Sequence, residues 1–158
     1  MKLFHGSNVA VESPVLFKTD RRVDFGPGFY VTTSFEQASR WAKTVTLRRK
    51  EGRPTVTVYT LDELDIQTLD VLAFKGPDLD WLRYIGANRR GLVADQHDIV
   101  LGPVANDNTM PTLRLFFSGI YTEDETIKRL LPQKLKDQYA FKSQAALDAL
   151  SFCEVKYL

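Results

Sequence analysis

The sequence predicts an α+β domain rather than an alternating doubly wound one. Strand-like runs stand at both ends, "KLFHGSN" and "FCEVKYL", while helical patterns gather between them. No internal repeat, low-complexity tract or linker divides the chain. At 158 residues, with 44% hydrophobic and 11% aromatic side chains, it is long enough for one well-cored domain over 1–158 and too short for two.

The elements follow in order. "KLFHGSN" reads as a first strand, with Leu3, His5 and Ser7 on one face and Phe4 on the other. A polar, irregular segment leads to a second strand, "GFYVTT". Ser34 is a helix N-cap with Gln37 three residues on, a capping-box pattern, and the helix runs through Ala38, Trp41 and Ala42 until Gly52 and Pro54 end it. "TVTVYTL" alternates as a half-buried strand should. "DVLAF" is a further strand candidate and "LDWLRYIGANR" a helix. "DIVLGPVA", broken by Gly102 and Pro103, suits an exposed strand end or a bulge. Helical patterns cover "MPTLRLFFSGIY" and, after a second capping box at Thr122 and Glu125, "EDETIKRLL". The strand "DQYAFKS", the helix "QAALDAL" and the strand "FCEVKYL" close the chain.

Composition excludes some classes. Lys and Arg number 21 against 20 for Asp and Glu, so no global field draws in nucleic acid or an anionic membrane. The single cysteine, Cys153, cannot form an internal disulfide, and Phe152 and Val155 beside it predict a buried small hydrophobe. No segment approaches the length of a membrane span or has the run of a leader peptide, so the expected location is cytoplasmic.

The chemistry concentrates in three places. In "DFGPGFYVTT", Gly26 and Gly28 allow positive φ or close approach, and Pro27 stiffens the turn between them. Alternation then sets Tyr30 and Thr32 opposite Phe29 and Val31, so Tyr30 either faces a cleft or packs on the sheet with its hydroxyl satisfied at the rim. His5, one of two histidines, is followed by Gly6, whose backbone is open to a planar ligand. In "DQYAF", Gln138 and the small Ala140 share a face opposite Tyr139 and Phe141.

These segments together resemble the ADP-ribosyltransferase superfamily, in its branch related to diphtheria toxin and the poly(ADP-ribose) polymerases. "HGS" resembles the branch's first-strand histidine motif, "FGPGFYVTTSFEQASRWA" its "FGxGIYF" strand and following helix, and "DQYAF" its late strand. A closer likeness is to a bacterial family of unknown function in that superfamily, through "LFHGS", "DFGPGFYVT", "QASRWA", "DIVLGPVAND" and "DQYAFKSQAALDAL". The resemblance implies an ADP-ribosyltransferase-like split β-sheet core with peripheral helices, and NAD as substrate. It implies that His5 holds a ribose hydroxyl of the adenosine half, that Gly6 pairs with the nicotinamide carboxamide, and that Tyr30 and Trp41 wall the nicotinamide. Ser7, Gly28, Thr32 and Arg22 join that dinucleotide-binding set, and His5, Tyr30 and Gln138 form the catalytic one.

Gln138 stands where the family typically has glutamate. A neutral amide cannot stabilise a developing oxocarbenium ion by charge or polarise an attacking hydroxyl, a loss on the order of one hundredfold in rate. The resemblance therefore implies transfer of a single ADP-ribose to a macromolecular acceptor, protein or nucleic acid, with an inactive NAD-binding module and a NAD glycohydrolase as the alternatives. Analogy with the superfamily implies a toxin or effector with a neighbouring inhibitor or antitoxin, and no membrane partner. Alternation points Asp137 to the wrong face to replace the carboxylate unless a bulge reverses it, and Asp24 and Asp98 are further acids without an assigned place. Arg21 and Arg22 precede the glycine turn, where a phosphate contact and a solvated loop both remain open. "LRRK" at 47–50 suits a helix C-terminus, with nucleic-acid contact as the minority reading. "DQHD" at 95–98 holds the second histidine, but adjacent turn residues rarely converge on one ion, so no metal is expected.

Overall fold

The computed structural model describes residues 1–18, 23–93 and 96–158. The fold is mixed α+β, with two sheets and six helices among the described residues. The first sheet has the order β1 (Lys2–Ser7), β3 (Thr55–Leu61), β7 (Leu150–Tyr157), antiparallel throughout. The second has the order β2 (Phe29–Val31), β6 (Asp137–Phe141), β5 (Ile99–Pro103), β4 (Val71–Ala73), and only β4 and β5 run parallel. One bridge between Phe4 and Thr32, with N–H···O distances of 2.8 and 3.0 Å, joins the sheets.

Helix α1 (Phe35–Arg49) begins as its sequence dictates, with the Ser34 hydroxyl accepting from the Gln37 N–H, and ends on Lys50 in the left-handed conformation. The reciprocal half of the capping box does not form. The Gln37 side chain donates instead to the Asp137 carbonyl at 3.2 Å, and the Ser34 N–H is taken by the Thr32 hydroxyl. The remaining helices are α2 (Glu63–Ile66), α3 (Leu79–Arg89), α4 (Met110–Phe117), α5 (Glu123–Leu130) and α6 (Gln144–Asp148). Thr122 caps α5 as its spacing predicts.

Two hydrophobic clusters form the core. Leu3, Phe29, Val31, Tyr59, Leu61, Ile99 and Phe141 make one. Phe25, Trp81, Leu82, Ile85, Val100, Leu113, Leu130 and Ala140 make the other, with Tyr30 packed against it. Adjacent residues of β2 and of β6 thus serve opposite faces, as period-two alternation requires.

Some expectations need correction or completion. "TVTVYTL" is not half-buried: β3 lies between two strands and beside α1, so nearly every residue is buried. In "DIVLGPVA" β5 ends at Pro103, where only β6 still pairs with it, while Ile99 and Val100 are buried between β4 and β6 and Gly102 is buried as well. Cys153 is exposed, since it lies on the outer strand β7 at a register shift rather than in the core. The short α2, capped by Asp62, was hidden in a segment too brief to show periodicity. Among the described residues no helix is long and apolar enough to cross a membrane.

Candidate functional site

The site forms where β1 and β2 part. Phe4 and Thr32 exchange both backbone bonds, and continuing that antiparallel pairing would bring Gly6 opposite Tyr30. The next rung does not form: the Tyr30 carbonyl takes the His5 Nδ1–H at 2.7 Å, and the imidazole stacks on Phe29 with centroids 4.3 Å apart. The His5 ring thus wedges into the fork. Alternation turns the Gly6 N–H and C=O toward that fork, on the same strand edge as those of Phe4.

His5 is chemically defined by this contact. A carbonyl oxygen only accepts, so Nδ1 carries the proton and Nε2 of the neutral ring is left as an acceptor. Burial pulls the pKa below the ordinary 6.5, opposed in part by the bond to Tyr30. At neutral pH the ring is uncharged.

The glycines serve close approach. A Cβ on Gly6 would lie 2.0 Å from the Ala38 carbonyl oxygen, so α1 rests directly on β1. Gly26 has φ +76° and would place a Cβ 2.8 Å from Asn88 Oδ1, and Gly28 would meet the Phe141 carbonyl of β6 at 2.9 Å. Gly26 and Gly28 therefore fit the turn to its protein neighbours, and Gly28 lies against β6. Tyr30 ties the same turn down, donating its hydroxyl to the Gly26 carbonyl at 2.6 Å and accepting from the Phe25 N–H at 3.2 Å.

Gln138 is buried at 8% exposure on the Tyr30 face of the sheet, registered with Gly102, and its Nε2 has no hydrogen-bond partner among the described residues. The Ser39 hydroxyl shares this state, and a buried polar group left unmatched costs about 1–3 kcal/mol. Asp137 beside it is fully engaged: Oδ1 accepts from the Thr32 hydroxyl at 3.0 Å and the Thr33 N–H at 2.9 Å, and Oδ2 from the Thr33 hydroxyl at 2.5 Å. Thr32 is thereby bound into a clamp joining β2, α1 and β6. Ser7 is buried, with its hydroxyl 3.4 Å from Asn8 Oδ1.

Trp41 lies on the flank of α1 shared with Gln37, one turn beyond it, beside the Ala38 and Ala42 that touch Gly6. It is 47% exposed, and the Arg48 guanidinium sits 5.6 Å from its ring centroid. The seven-residue spacing of Arg48 from Trp41, two helical turns, places the pair on one flank of α1. The other acids are structural: Asp24 pairs with Arg89 at 2.7 Å, and Asp98 accepts from the Ser143 hydroxyl and, at 2.9 Å, the Asp70 N–H. The Ser143 bond, then the Asp70 N–H, holds its pKa low. His97 contacts Asp70 at 3.2 Å, and no metal-holding cluster of His, Cys, Asp and Glu occurs among the described residues. Arg21 and Arg22 lie outside the described residues, as does Asp95.

The fork thus offers a backbone donor and acceptor on Gly6, complementary to a primary carboxamide, with the His5 imidazole acceptor beside them. A family model described as "Protein of unknown function (DUF3990)" matches residues 1–152. The chain belongs to this family. No curated protein and no solved structure matches the DUF3990 chain significantly.

Proposed function

We propose that this DUF3990 protein is a mono-ADP-ribosyltransferase that takes NAD as substrate, releases nicotinamide and transfers one ADP-ribose to a macromolecular acceptor. The fork carries the reading: with Tyr30 O occupied by His5, the Gly6 N–H and C=O are directed where a nicotinamide carboxamide, itself one acceptor and one donor, would pair with both. His5 Nε2 then accepts from a ribose hydroxyl. Tyr30 and the α1 flank at Trp41 bound the nicotinamide, and the unmatched Gln138 amide finds its acceptor on the nicotinamide ribose. The ribose C1′–N bond breaks with its electron pair passing to nicotinamide, the acceptor bonds C1′, and the acceptor's proton leaves to solvent. Gln138 supplies no charge to activate a second ADP-ribose, which favours single transfer over polymer.

A second reading is favoured by the same residue: with no carboxylate at 138 and Asp137 committed to its clamp, the domain binds NAD without turning it over. The deciding experiment incubates the protein with adenylate-labelled NAD, with and without lysate. Nicotinamide release lost in a folded His5→Ala variant, with label on protein or nucleic acid, supports the transferase. Release without label means hydrolysis. NAD binding without release selects the binding module, and neither binding nor release rejects both readings.

A further inference from the structure

We infer that β7 is a self-pairing edge through which two copies of the chain join their three-stranded sheets into one. β7 is the outermost strand of its sheet and is exposed along most of its length, with Phe152 at 43% and Tyr157 at 58%. Among the described residues no strand lies outside it.

The backbone phase of this edge follows from the bridge at the far side of the sheet. Phe4 gives both backbone groups to Thr32, so Val58 opposite it turns its own toward β7. Val58 registers with Glu154 and Val56 with Lys156, and Leu158 N–H donates to the Pro54 carbonyl at 3.0 Å. Glu154, Lys156 and Leu158 therefore face inward, and Val155 and Tyr157 present N–H and C=O at the open edge. Cys153, at the register shift, bounds this run.

Charge then selects a register. A two-fold antiparallel pairing that keeps the outward groups in phase can be centred on Glu154, Val155 or Lys156. Centring on Glu154 opposes glutamates, and centring on Lys156 opposes lysines. Centring on Val155 lets the two Val155 residues exchange both backbone bonds and sets each Glu154 against Lys156 of the second copy, in the pairs where side chains approach closest. Both charges already share one face, 3.3 Å apart within the chain. The edge carries no proline and its lysine is matched by a neighbouring acid; the register shift at Cys153 interrupts the edge on that side and confines the open run to Val155 and Tyr157.

Sedimentation over a concentration series, on the full chain, tests this. The wild type is expected to pass from one to two copies. Val155→Pro removes an N–H that β3 does not use and should leave a folded single copy. Lys156→Glu opposes four acids across the axis and should weaken association about tenfold or more. The exchanged variant Glu154→Lys/Lys156→Glu should restore it, because the Val155-centred register again pairs opposites. If Val155→Pro does not fold, the charge series decides alone. A wild type that stays single at every concentration, a dimer indifferent to Lys156→Glu, or an exchange that fails to restore pairing overturns the proposal.

Discussion

Gly6 and Ala38 meet with no room between them: a Cβ on Gly6 would stand 2.0 Å from the Ala38 carbonyl oxygen and 3.0 Å from Ala42 N. These are backbone atoms, so α1 itself must shift to admit a methyl group. Gly6→Ala is expected to cost about 3 kcal/mol or more, read as a lower urea midpoint at unchanged slope. An unchanged midpoint would show that α1 slides on β1 without penalty.

Asp137 accepts three hydrogen bonds from Thr32 and Thr33, at the turn between β2 and α1. Asp137→Ala strands these donors and should destabilise the fold by about 1–3 kcal/mol. Asp137→Asn keeps one acceptor oxygen and should fall between. If the protein turns over NAD, nicotinamide release by the folded Asn variant should stay within a few-fold of wild type; abolition would make Asp137 the missing carboxylate.

Because the His5 pKa in the folded protein lies below the ordinary 6.5, the unfolded chain binds a proton that the folded one refuses between those values. Stability from this group is complete above about pH 6.5 and is lost as pH falls toward the folded pKa. His5→Leu should flatten that part of the profile. Denaturation of both proteins across a pH series checks this, since other titrations cancel in the difference; parallel curves would contradict the half-buried neutral imidazole.

The unmatched Gln138 amide separates stability from binding. Gln138→Met keeps the shape without the polar group and should raise stability by about 1 kcal/mol while abolishing NAD affinity measured by calorimetry. Gln138→Glu should raise nicotinamide release if the carboxylate is the one element lacking. Full NAD affinity in the Met variant would remove Gln138 from the site.

The strands and helices around the fork were legible because their signals are local. Ser34 and Thr122 cap as their spacing predicts, and the faces of β2 and β6 follow from alternation alone. What the sequence hid is partnership at a distance. Nothing near Gly28 announces the Phe141 carbonyl, and nothing in "DQYAF" says that Asp137 closes the turn at Thr33. Gln37 reads as half of a capping box, yet its amide crosses to β6. Cys153 looked buried by its neighbours' apolarity, but an outer strand exposes such residues.

The sheet order has a consequence for synthesis. β1, carrying His5, is made first, its partner β3 much later, and β3's other neighbour β7 last; β6, carrying Gln138, also comes late. Pairings so distant along the chain form slowly and only after translation has delivered both partners. A nascent chain therefore carries the histidine well before the strand that bears Gln138 has been made.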